Sequence, residues 1–153
     1  GPATRLTWRQ VMFKKILIPV DMDATDLTTR ALAVAEEFSE RYGATVTALT
    51  VIPDFNNSMV ASYFPENTIE KAHDQVCRDL QTFIDTHAKD PTKIGCAVSE
   101  GSTRKSIVNY VEDHNIDLVV IPARKSDISK LFLGSNSSYV VEHARCSVLV
   151  VRP

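Results

Sequence analysis

The chain has 153 residues, 44% of them hydrophobic and 24% charged, which fits one soluble globular domain and excludes a disordered chain. Its 17 basic and 19 acidic residues leave a net charge of −2, which excludes a strongly basic nucleic-acid binder. The longest apolar runs, Ile16–Val20, Leu118–Pro122 and Val148–Val151, fall far short of the ~20 residues of a membrane helix, so no membrane association is expected.

Three cysteines, Cys77, Cys96 and Cys146, are odd in number and far apart, so a reduced, cytoplasmic protein is expected rather than a disulfide framework. Residues 1–11 read as a tag remnant or linker and residues 12–153 as the domain. Gly1-Pro2 matches what a protease leaves behind, and Met12 reads as a native start. Without Arg5 and Arg9 of that segment the balance becomes 15 basic to 19 acidic. The segment also holds Trp8, the only tryptophan, which is therefore not expected in the core. No signal peptide is expected, because Phe13-Lys14-Lys15 runs directly into a strand.

The first strand is Lys14–Val20 (KKILIPV), a short β-branched run of the kind buried on both faces, with Asp21 at its carboxyl end. Thr25 or Asp26 can cap a helix running to Tyr42, with Ala31, Leu32, Ala35 and Phe38 on one face and Gly43 to stop it. Ala44–Ile52 (ATVTALTVI) is a second strand, ended by Pro53. Pro53–Asn67 reads as a polar loop. Thr68–Lys89 is helical, with Ile69, Ala72, Val76, Leu80 and Phe83/Ile84 at three- and four-residue spacing. Lys93–Val98 is a third strand and Glu100-Gly101-Ser102 a turn. Arg104–His114 is a helix with Ile107, Val108 and Val111 inward. Asp117–Pro122 is a fourth strand, Ala123–Leu133 mostly loop, Ser135–Ala144 a last helix and Ser147–Val151 (SVLVV) a fifth strand.

Strict alternation of strand and helix predicts an α/β fold: one domain with a doubly wound, five-stranded parallel sheet and helices on both faces. Right-handed crossovers with helices on both faces require the winding to reverse once, which gives the order 3-2-1-4-5. Ligands in open α/β sheets bind at that reversal, beyond the carboxyl ends of strands one and four. The residues there are Asp21 and Pro122, Ala123, Arg124 and Lys125.

The five glycines fit neither G-x-G-x-x-G nor G-x-x-x-x-G-K-[ST], so neither phosphate fingerprint is present. Gly134-Ser135-Asn136 nevertheless opens a helix. Its first turn offers unpaired N–H groups and a partial positive charge to an anion, and Ser135 adds a hydroxyl. The plainer alternative is that Ser135 or Asn136 caps the helix. Gly101-Ser102 opens the preceding helix in the same way, with a simple turn as its alternative. Arg124 and Lys125 can pair with phosphate oxygens or be solvated loop cations. Asp21 can accept from a ribose hydroxyl, hold a metal ion, or serve only its own turn.

From Met12 to Pro153 the chain resembles the universal stress protein family. The residues that carry the likeness are KKILIPVD, ALTVI, EGS with Ile107 following, and LFLGSNSSYVVEHARCSVLVVRP. The loop IPARKSDISKLFLGSN is most similar to the F- and G-type branch. The resemblance implies ATP or AMP in the crevice between strands one and four. Asp21 would contact ribose and, directly or through water, a magnesium ion. Pro19 and Val20 would line the adenine pocket, and the backbone of Val51 would read the adenine edge. Gly101 would lie beside the nucleoside, and Gly134, Ser135 and Asn136 would hold phosphates. ATP-binding members usually carry G-x-x-G after strand four. Here that loop reads Pro122-Ala123-Arg124-Lys125, as in the F/G-like branch, which also lacks the glycines.

Three functions are consistent with these residues. The first is a nucleotide-binding regulatory module, with slow ATP hydrolysis at most, since the sequence places no histidine or further carboxylate at the phosphate end. The second is a stress-response interaction protein that works without nucleotide. The third, metal or thiol chemistry at His143-x-x-Cys146, lacks the ligand set that structural zinc needs. Ser147–Val151 is an apolar sheet edge without lysine or internal proline, so it is expected to pair with a second copy in a homodimer, or within a tetramer.

Overall fold

Lys15–Pro19 (β1) and Leu118–Pro122 (β4) lie side by side at the centre of the sheet. Neither strand carries an inward polar side chain, and Ile16, Leu17, Ile18, Val119 and Val120 have no exposed surface at all. Burial of each such side chain stabilises the fold by about 1.5–3 kcal/mol. The computed structural model describes residues 13–52, 62–65, 67–125, 131–132 and 134–152, with the backbone alone for 124–125 and 131–132.

The remaining elements follow in chain order. They are α1 (Thr28–Tyr42), β2 (Thr45–Ile52), α2 (Thr68–His87), β3 (Ile94–Glu100), α3 (Thr103–Asp113), β5 (Arg124–Lys125), β6 (Leu131–Phe132), α4 (Ser135–His143) and β7 (Ser147–Val151). The main sheet is parallel in the order β3-β2-β1-β4-β7, the doubly wound order expected from the alternation. One face packs Ile16, Ile18, Val46, Ala48 and Val120 against Leu32 and Ala35 of α1 and Leu80 and Ile84 of α2. The other packs Leu17, Leu49, Val119 and Ile121 against Ile107 and Val111 of α3 and Val140 of α4. The period of two along each strand sends alternate residues to opposite helix layers.

Several expected boundaries and caps move. A 3-10 turn at Thr25–Leu27 precedes α1, whose N-cap is Leu27, so neither Thr25 nor Asp26 caps it by a side-chain hydrogen bond. Gly43 ends α1 in the left-handed region at φ 71°, as a C-terminal glycine should. The helix expected to reach Lys89 stops at His87, and β3 runs on to Glu100. The segment read as loop after β4 contains a small antiparallel pair, with Arg124 opposite Phe132 and Lys125 opposite Leu131. Of the expected loop Pro53–Asn67, residues 53–61 and 66 lie outside the described residues.

The ladder between β1 and β4 is short: Ile16 pairs with Leu118 and Leu17 with Val119. Beyond that point each strand turns its backbone bonds outward. The Val20 amide donates to the Leu49 carbonyl at 2.7 Å, toward β2, and the Ala123 amide to the Val151 carbonyl at 2.9 Å, toward β7. Pro19 and Pro122, at the matching ends, have no N–H with which to bridge the space between them. The strands therefore part at their carboxyl ends.

At the opposite end they are clamped. Asp117 accepts from the Lys14 amide at 2.8 Å and the Lys15 amide at 2.9 Å, and its own amide donates to the Lys15 carbonyl at 3.0 Å. Asp117→Ala removes both acceptors, and the expected loss is about 1–3 kcal/mol. In urea unfolding this appears as a lower midpoint at unchanged slope. Gly101 offers a second check. It has φ 125° and donates its amide to the Ile52 carbonyl at 3.0 Å, so Gly101→Ala forces a side chain into a region that L-residues avoid. The expected cost by the same measurement is about 1–3 kcal/mol.

Candidate functional site

Where β1 and β4 part, a cleft of about 580 Å³ opens at the carboxyl end of the sheet. Its wall on one side is Pro19 with Val20 and Asp21 just past β1, and on the other Pro122 with Ile121 of β4. Val51 lines it from β2, with Leu49, Thr50 and Ile52. Gly101 and Thr103 stand at the start of α3, and Gly134, Ser135, Asn136 and Ser137 at the start of α4. The floor is apolar, formed by Val20, Leu49, Ile107, Ile121 and Val140, and the rim is polar. A flat, partly apolar ligand with a charged end suits such a shape.

Nine residues singled out from the sequence thus meet at one cleft: Pro19, Val20, Asp21, Val51, Gly101, Pro122, Gly134, Ser135 and Asn136. Ala123 does not join them. It is buried, with its amide committed to Val151, and lies outside the lining. Arg124 and Lys125 follow as β5, and their side chains lie outside the described residues.

The carboxylate of Asp21 is held by its own turn. Its Oδ1 accepts from the Asp23 amide at 2.9 Å, and its carbonyl accepts from the Ala24 amide at 3.0 Å. This Asx geometry steadies the side chain from within its own turn. Asp23 also lines the cleft, so two carboxylates share this wall.

The helix starts differ from the capping expectation. Ser135 is already the first residue of α4, and the N-cap is Gly134, with no side-chain hydrogen bond capping the turn. Ser135 and Asn136 therefore do not cap it. The N-cap of α3 is Ser102, again without a side-chain cap. Two helices thus bring uncapped first turns to one cleft, each with unpaired N–H groups and a partial positive charge. Gly134 has φ −63°, which any residue adopts. Glycine's backbone freedom is therefore not used there.

Sequence reading missed part of the lining. Met22, Asp23 and Ala24 follow Asp21 directly, and the 3-10 turn folds Leu27 and Thr28 back onto the cleft. Thr28 and Thr50 are the buried polar residues among those described, and for Thr50 its place in the apolar run ALTVI was the available signal. Val76 arrives from α2, which only the tertiary arrangement reveals.

The thiols sit away from this chemistry. Cys96 is solvent-exposed rather than packed as a small hydrophobe, while Cys77 and Cys146 are half-buried. Partial desolvation, with a nearby carboxylate in each case, pushes the Cys96 and Cys146 thiols up, so both stay protonated at neutral pH. His143 stacks on Tyr139 at 4.0 Å. Among the described residues no three His, Cys, Asp or Glu side chains are grouped to hold a metal ion. No described helix is long and apolar enough to cross a membrane.

The fold has counterparts among known proteins. Universal stress protein G of Shigella flexneri is 33% identical over 147 residues, covering 92% of this chain and all of that protein. The structure of universal stress protein UspA from Lactobacillus plantarum is 29% identical, covers 93% of this chain and 99% of its own, and superposes with a TM-score of 0.67. A universal stress protein solved in complex with cAMP shares the fold at 18% identity, covering 92% of this chain and 98% of its own with a TM-score of 0.56. The model of the universal stress protein family matches residues 12–152. The chain belongs to the universal stress protein family.

Proposed function

We propose that this protein binds an adenine nucleotide, ATP or AMP, between β1 and β4 and acts as a cytoplasmic regulatory module of the stress response. The observation that carries this reading is the meeting of the uncapped first turns of α3 and α4 with the Asp21 carboxylate at one cleft that has an apolar floor. Adenine would lie against Pro19 and Val20, with the Val51 backbone at its edge. Asp21 would accept from a ribose hydroxyl, and Gly101 would sit beside the nucleoside. The amides and hydroxyls of Gly134, Ser135 and Asn136 would take phosphate oxygens, as helix N-termini do.

Magnesium suits the same donors. It is commonly held by one or two carboxylates together with substrate phosphates, and Asp21 and Asp23 both line this wall. When bound, the ion would neutralise phosphate charge that these carboxylates otherwise repel.

ATP or AMP at 100 times its dissociation constant should stabilise the protein by about 2.7 kcal/mol, read as a rise in melting temperature. Asp21→Ala should weaken binding roughly 10-fold in calorimetry, the worth of a hydrogen bond to a charged acceptor. An unchanged melting temperature at millimolar ATP would instead favour an interaction protein that works without nucleotide. The absence of both glycines after β4 and the missing N–H of Pro122 favour that second reading.

The same module is proposed to form a homodimer through β7. Val151 accepts from Ala123, just past β4, so by the alternation of a strand Val148 and Val150 turn their amides to the free edge. Pairing that edge with its copy satisfies both rows of amides. Val150→Pro removes one of them at an edge position that tolerates proline, and should shift a dimer to monomer in light scattering while leaving the fold intact.

A further inference from the structure

We infer that Arg104 is a phosphate-binding residue of the cleft, held beside the phosphate end by the ring of Tyr139. The inference rests on the nucleotide reading above and names a side chain that the reading does not include. The described residues lining the cleft carry two carboxylates, Asp21 and Asp23, and no lysine or arginine. A polyphosphate entering there meets like charge on one wall. The helix ends offer only partial positive charge in return. Among the described side chains, a full cation can come only from outside the lining.

Arg104 fits that need by position. It is the second residue of α3, directly after Thr103, which lines the cleft, and one turn before Ile107, which also lines it. Its guanidinium lies 5.3 Å from the centroid of the Tyr139 ring. Tyr139 belongs to α4 and immediately precedes Val140, another lining residue. The cation therefore sits between the two helices whose uncapped first turns border the cleft.

An exposed guanidinium over a half-buried aromatic ring is held weakly, and that position leaves N–H donors available. Those donors suit phosphate in a fork geometry that an ammonium lacks. The contact thus keeps a flexible side chain near its target at small cost and releases it when a phosphate arrives.

The test compares ATP and adenosine by calorimetry on the wild type, Arg104→Gln, Arg104→Lys and Tyr139→Leu, with melting temperatures recorded for each. Arg104→Gln should weaken ATP roughly 10-fold or more, the worth of one charge-assisted hydrogen bond, and flatten the salt dependence of binding. Adenosine affinity should not change. Arg104→Lys should recover part of the loss, and Tyr139→Leu should cost ATP less than Arg104→Gln does. Unchanged ATP affinity in Arg104→Gln overturns the assignment, as does an equal loss for adenosine or an equal loss in Tyr139→Leu, either of which marks a structural role. A wild type that binds no ATP overturns the nucleotide reading and this assignment together.

Discussion

The cleft exists because two neighbouring strands stop bonding to each other before they end. β1 and β4 share a ladder only at Ile16–Leu118 and Leu17–Val119. After that, Val20 and Ala123 donate outward to Leu49 and Val151. Unpaired backbone inside a sheet is costly, so strands can part only if each finds another partner for its groups. Here β2 and β7 provide those partners, and proline at positions 19 and 122 removes the two donors that would otherwise have to be satisfied in the gap.

The same reversal of winding decides what stands around the opening. Because α1 and α2 cover one face while α3 and α4 cover the other, chain segments leave the carboxyl ends of the strands in opposite directions. The amino ends of α3 and α4 then arrive from one side, bringing partial positive charge, and the Asp21 turn stands on the other with full negative charge. The site is polarised across its width by topology before any ligand is considered. An anion is drawn to one wall, and hydroxyl donors or a cation to the other.

The sheet and its order were legible because apolar β-branched runs such as KILIP and LVVIP alternate with stretches of helical period, and parallel winding leaves few orders to choose from. That order singled out Asp21 and Pro122 as neighbours at the strand ends. Gly101 and Gly134, 80 and 113 residues beyond Asp21, were named as glycines that open helices and by family resemblance, and the fold brings all four to one cleft. Local detail was less legible. The start of α1 shifted because a 3-10 turn satisfies the backbone that a capping side chain at Thr25 or Asp26 would have served. The β5–β6 pair has two residues per strand, too few to display a period of two. Cys96 is exposed because β3 lies at the edge of the sheet, a consequence of strand order that composition does not carry. Val76 and Thr103 reach the cleft through helix packing, which no local pattern encodes.

The Asp117 clamp fixes the amino end of β1 to the segment entering β4, at the pole of the sheet away from the cleft. Chain upstream of Phe13 therefore joins the fold at that far pole. A surface, dye or carrier attached there would hold the molecule with its opening turned outward. The pole around Lys14 and Asp117 is thus the natural anchoring point for reading small-molecule occupancy on a sensor chip or by fluorescence.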